Sequence, residues 1–258
     1  MVVIKQIGSV VSPAIILIAT GLGLCYLQHD RVIAGASHPS LEPYTEEPGL
    51  PRVLIIGDSI SIGYTLSVRR KLNGMANVVR PPENCRSTKD GMRKLDQWLG
   101  NGAWQVIHFN WGLHDLRYTN SKGDDHADPT QEGSFKLVSP AQYRINLLNL
   151  VSRLQATGAA LVFATTTPVP DGAKGRNAGE EQLYNSIALE IMHQANIAVN
   201  DLHYAVAESN QRLQLDRDVH FNETGYEFLG HLVGNRIEQL LFKSQSHTLT
   251  KKHKSDQP

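Results

Sequence analysis

Cysteine is nearly absent: Cys25 and Cys85 are the two thiols in a chain of 258 residues. Two cysteines cannot build a disulfide framework or a four-cysteine zinc site. An excess of one charge is missing too, because Lys plus Arg and Asp plus Glu each number 25. Phosphate backbones are bound by basic fields, so this neutrality argues against nucleic acid as a partner. The 21 glycines and 12 prolines are an ordinary globular share, which excludes collagen-like and low-complexity chains. A hydrophobic fraction of 41% against 19% charge excludes wholesale disorder. The sequence holds no internal repeat, no Walker A sequence, no Gly-x-Gly-x-x-Gly and no His-Glu-x-x-His, which removes the main nucleotide and zincin readings.

One long apolar run is present. Val10 to Leu27 carries no charge over 18 residues, near the lower limit for spanning a bilayer. Lys5 precedes it and the small residues Ala34-Gly35-Ala36 follow. Residues 1–36 therefore read as a signal peptide or an uncleaved membrane anchor, and the protein as exported, periplasmic or extracellular, or tethered by its N-terminus. Membrane contact is expected only through residues 10–27, if they are retained. Pro13, Gly21 and Gly23 make the run a poor soluble helix. Residues 37–51 are Pro/Glu/Ser-rich and aperiodic, which predicts a linker. The stretch 243–258 sets four lysines against Asp256 and predicts a polar, disordered tail. Between them, 52–242 is long enough for one domain with a full core.

Within that body, Val53–Ile56, Val78-Val79, Val106–Phe109, Leu161–Ala164 and Ile197–Val199 read as five short strands. Helical spacing marks a stretch ending near Leu72, then 88–99, 140–156, 180–194 and 223–242, with Ser139 and Pro140 as an N-cap and first-turn pair. Strands alternating with helices imply a parallel sheet covered on both faces. Two polar segments interrupt the rhythm, 117–138 and 211–220. Asp124, Asp125, His126 and Asp128 in the first lack EF-hand spacing and read as a solvated loop.

Two short blocks could do chemistry. Gly57-Asp58-Ser59-Ile60 follows the first buried strand, and ligands gather at the carboxyl ends of parallel strands. Asp58-Ser59 alone is equally a helix-cap pair. His220 precedes Phe221-Asn222-Glu223-Thr224-Gly225 and the last helix, with Asp216 and Asp218 close by. A serine nucleophile needs a base, and an imidazole held by a carboxylate supplies it.

Together these residues resemble the GDSL, or SGNH, family of serine esterases and lipases, over roughly residues 52–242. Gly57-Asp58-Ser59-Ile60 is similar to the nucleophile block, Gly112-Leu113-His114-Asp115 to the block usually written Gly-x-Asn-Asp, and His220-Phe221-Asn222-x-x-Gly225 to the histidine block. The resemblance implies a three-layer α/β/α sandwich around a mostly parallel, five-stranded, flavodoxin-like sheet. It implies Ser59 as nucleophile and oxyanion donor, His220 as base, and no metal or cofactor.

The departures are specific. His114 stands where the family has the oxyanion asparagine, and Asn110 is a candidate substitute. Spacing from Ser87-Thr88 and Leu95 places Cys85, followed by Arg86, where the family has a glycine whose N–H completes the hole, so the Cys85 or the Arg86 N–H is the expected donor. Arg217 occupies the usual aspartate position, which leaves Asp218 to orient His220, with Asp216 or a Ser-His dyad as alternatives. Asp58, Arg86, Asn110, Trp111, Asp115 and Thr166 are the remaining candidates for the pocket. The expected substrate is a small-molecule or glycan ester, most simply an O-acetylated carbohydrate. A lipase or lysophospholipase, or a catalytically silent glycan-binding protein, are the alternatives.

Overall fold

A computed structural model describes the backbone of residues 38–255 and the side chains as far as Lys243. The apolar run at 10–27 lies outside the described residues. No helix among the described residues is long and apolar enough to cross a membrane.

The elements run β1 (Arg52–Ile56), α1 (Ser59–Lys71), β2 (Asn77–Val79), α2 (Thr88–Leu99), β3 (Val106–Phe109), β4 (Tyr118–Thr119), β5 (Phe135–Lys136), α3 (Pro140–Gln155), β6 (Ala160–Ala164), α4 (Glu181–Gln194), β7 (Ala198–Asn200), α5 (Leu202–Ala207) and α6 (Glu223–Ser255). Five strands form one all-parallel sheet in the order β2-β1-β3-β6-β7. Val53–Ile56 and Val106–Phe109 are buried on both faces, as continuous apolar runs in a parallel sheet must be. The strand order reverses between β1 and β3, so the loops leaving those strands part and leave a crevice at their carboxyl ends.

The helices form the outer layers, α1 against α6, and α2 and α4 each against α3. Glycines set the closeness of α1 and α6. A Cβ on Gly63 would stand 2.1 Å from the Tyr226 ring, and one on Gly230 would stand 2.3 Å from Ser67. The pairing matters for chemistry because Ser59 begins α1 and His220 lies just ahead of α6.

Three segments depart from expectation. Residues 38–51 are strapped to the body rather than free. A 3-10 turn at Pro39–Leu41 buries Ser40, whose hydroxyl donates to Ile62 O at 3.1 Å, and Glu47 exchanges two 2.8 Å hydrogen bonds with the buried Asn77 side chain. The 117–138 insertion contains the antiparallel β4–β5 ribbon, and its acids serve local bonds: Asp125 pairs with Arg117 at 2.8 Å, Asp124 accepts from Asn120, and Asp128 caps Thr130. The last helix, expected to stop at Phe242, continues to Ser255. The short α5 was not visible in the periodicity.

Candidate active site

Asp58 ends the turn after β1 and caps α1, its carboxylate accepting the Ile60 N–H at 3.0 Å. That capping places Ser59 at the first helical position, where its own N–H has no partner within the helix. Its hydroxyl lies 2.9 Å from His220 Nε2. On the far side of the imidazole, His220 Nδ1 is 2.7 Å from Asp218 Oδ1, which also accepts the His220 backbone N–H at 3.0 Å. The hydrogen bond from His220 is the main cause holding the Asp218 carboxyl down at about 2, so it is a carboxylate at neutral pH. A carboxylate only accepts, which fixes the ring proton on Nδ1 and leaves Nε2 free to accept from Ser59. Asp216 is exposed and pairs with Arg212 instead.

The nucleophile turn is braced from beneath by Arg80, which sequence reasoning missed. This buried guanidinium donates to Ser61 Oγ at 2.9 Å, to Glu83 O at 3.2 Å and to Gly57 O at 3.4 Å. Ser61 Oγ in turn donates to Asp58 O at 2.7 Å. No local pattern announces such a residue, because its partners are mostly main-chain oxygens.

Cys85 does not offer the amide expected of it. Its N–H donates to Gly57 O at 3.2 Å, and its buried thiol is pushed up to about 12 by desolvation. The left-handed backbone that a glycine would favour occurs one residue later, at Arg86, with φ of 47°. The Arg86 N–H donates to Asn84 Oδ1 at 2.9 Å, on the exposed side of the turn. Asn110 is engaged as well, its amide donating to Ala164 O at 2.8 Å. His114 remains: it is half-buried, its Nδ1 is buried without a partner among the described residues, and desolvation pulls its pKa down to about 3. It is therefore a neutral imidazole at neutral pH.

The other pocket candidates are packed into the fold as follows. Trp111 is fully buried, packed so tightly on α2 that a Cβ on Gly91 would stand 2.9 Å from its ring. Asp115 is fully buried and accepts the Thr88 N–H at 2.9 Å, capping α2 from across the fold. Thr166 is buried against Gly112, where a Cβ would stand 2.0 Å from its hydroxyl, so only glycine fits there. Asp58 is buried too, with Oδ2 lacking a partner among the described residues and its pKa raised by desolvation.

A serine hydroxyl, an imidazole and a carboxylate in hydrogen-bonded series at the carboxyl end of a parallel sheet define a serine hydrolase of the three-layer α/β class. Residues 55–228 match the model of the GDSL-like lipase/acylhydrolase family, and the chain belongs to that family. Its chemistry is accordingly ester hydrolysis through serine.

Solved structures share the fold. A lipase/acylhydrolase from Enterococcus faecalis superposes with a TM-score of 0.59 at 19% identity, covering 74% of this chain and 96% of that one. The acetyl xylan esterase AlAXEase gives 0.56 at 17% identity, covering 72% and 99%. A catalytic mutant of an acetylxylan esterase from Geobacillus stearothermophilus gives 0.56 at 16% identity, covering 71% and 92%. No curated protein matches the sequence.

Proposed function

We propose that the protein is an O-acetyl esterase acting on carbohydrate, with Ser59, His220 and Asp218 as its catalytic residues. The observation that carries the catalytic part is the Ser59–His220–Asp218 series, at 2.9 and 2.7 Å. His220 Nε2 takes the Ser59 proton as Oγ attacks the ester carbonyl, and returns it to the leaving alcohol. Water then hydrolyses the acyl-enzyme by the same route in reverse. The Ser59 N–H, at the positive end of α1, and the neutral His114 ring steady the oxyanion.

A short acyl group on a sugar suits the polar groups of the three blocks, His220 beside Ser59, and His114 with the charges of Arg86 and Arg176 acting on it. Fold neighbours described as acetyl xylan esterases add support to this reading. The test is hydrolysis of p-nitrophenyl acetate and p-nitrophenyl octanoate by the full-length chain beside Ser59→Ala. Acetate is expected to be the better substrate, and Ser59→Ala to lose at least about 10,000-fold in kcat. Preference for octanoate favours a lipase; equal background rates in both proteins defeat the catalytic assignment.

A further inference from the structure

The loop between β6 and α4 brings a buried cation to the site. Arg176 is 8% exposed, and its Nε donates to Leu113 O at 2.9 Å, the residue preceding His114. One Nη donates to Lys174 O at 3.2 Å, and the other has no hydrogen-bond partner among the described residues. Of the two carboxylates that feel its charge, Asp218 holds His220, and Asp58 caps α1 through one oxygen; neither forms an ion pair with it. Its bond to Leu113 O ties it to the third block, and its charge acts on Asp58, Asp218 and His114. The same loop touches the histidine loop directly: a Cβ on Gly172 would stand 2.7 Å from the Arg217 guanidinium.

Desolvating a guanidinium costs several kcal/mol, and two carbonyl hydrogen bonds with no carboxylate bound directly to it repay that cost only in part. The cost is recovered when an anion arrives, and guanidinium geometry matches a carboxylate bidentately. We propose that Arg176 is an anion-binding subsite of the active site, so that the ester cleaved at Ser59 sits on a sugar bearing a carboxylate. An acetyl group carries no charge, so the anion belongs to the carbohydrate. Arg86, exposed beside His114, extends the same positive rim. This inference rests on the esterase reading above, and its test separates the two.

The probes are an O-acetylated uronic acid and the same compound with its carboxylate masked as a methyl ester. Acetate release by the full-length chain is expected to favour the free acid by about tenfold or more in kcat/KM. Arg176→Gln is expected to bring that ratio near unity, Arg176→Lys to restore part of it, and added salt to shrink it in the wild type. A wild-type ratio at or below unity, or a ratio unchanged in Arg176→Gln, overturns the proposal. Equal losses on both compounds do the same, since they mark Arg176 as a brace for Leu113. Thermal shift with the unacetylated uronic acid reads the subsite without turnover. Stabilisation of the wild type but not of Arg176→Gln upholds the subsite even if no ester is cleaved, in which case the esterase reading fails alone. Absence of stabilisation in the wild type overturns the subsite even if esters are cleaved.

Discussion

His114 and Asp115 are adjacent, the first half-buried and the second fully buried, and burial moves their protons in opposite directions. His114 is driven down to about 3 and so donates a single N–H throughout the working range. His114→Ala is expected to lower kcat on p-nitrophenyl acetate by about 100-fold with little change in KM, the signature of a donor used in the transition state. A loss confined to KM would remove His114 from the hole. Asp115 is raised to about 7 by desolvation, whereas an unfolded chain holds an aspartate near 3.9. Between those values the folded protein keeps a proton that the unfolded chain has released, so stability falls as pH rises through the window. Asp115→Asn keeps an acceptor for the Thr88 N–H and removes the titration. Its melting temperature is expected to vary less than the wild type's between about pH 4 and about pH 7; parallel curves would refute the assignment. Ser59, Asp218 and His220 were legible because each sits in a short block beside an element end. Arg80 and Arg176 were not, because main-chain carbonyls, which every residue carries, hold them and leave no side-chain pattern. Spacing alone put the glycine position of the hole at Cys85, one residue before the turn in the backbone at Arg86, a φ angle that composition does not encode.

At the level of elements, catalysis depends on how two helices meet. α1 delivers Ser59 at its first residue and α6 follows directly on the histidine loop, so the contact between them sets the distance from Oγ to Nε2. Small residues make that contact, with Gly63 under the Tyr226 ring. Gly63→Ala places a methyl group 2.1 Å from the Tyr226 ring, so the ring or the helix must shift. Overpacking of this kind costs about 1–3 kcal/mol, and in a domain of this size each kcal/mol lowers the melting temperature by about 2–4 °C. Turnover is expected to fall well beyond that loss, measured at a temperature where the variant is fully folded. Unchanged kcat in a destabilised variant would show that the helix spacing does not govern the dyad. The five strands and the long helices were readable because apolar runs and 3.6-residue spacing survive in the sequence. The β4–β5 ribbon and α5 were not, since two-residue strands and a six-residue helix are too short to carry a period.

On the scale of the whole molecule, the boundary of the folded unit lies earlier than composition suggests. Pro, Glu and Ser in 37–51 predict a free linker, yet the segment spends its polar groups on the body. The Asn77 amide at the start of β2 is satisfied by Glu47, Ser40 is buried at α1, Glu46 pairs with Arg52, and Arg69 lies 4.5 Å over the Tyr44 ring. Composition misleads here because a strap needs no periodic apolar face. It needs polar atoms at a few fixed places, and β2, at the sheet's edge, supplies them. A chain starting at residue 52 loses the two bonds to Asn77 and uncovers the edge beside it. Each broken bond of this type is worth about 0.5–1.5 kcal/mol, and the uncovered apolar surface adds to the loss. A chain starting at 38 is therefore expected to melt with the full-length protein, and one starting at 52 to melt lower by on the order of 5–10 °C. Scanning calorimetry of the three lengths decides between a strap and a tether: if the 38 and 52 starts melt together, the contacts made by residues 38–51 contribute nothing to the stability of the fold that holds Ser59 against His220.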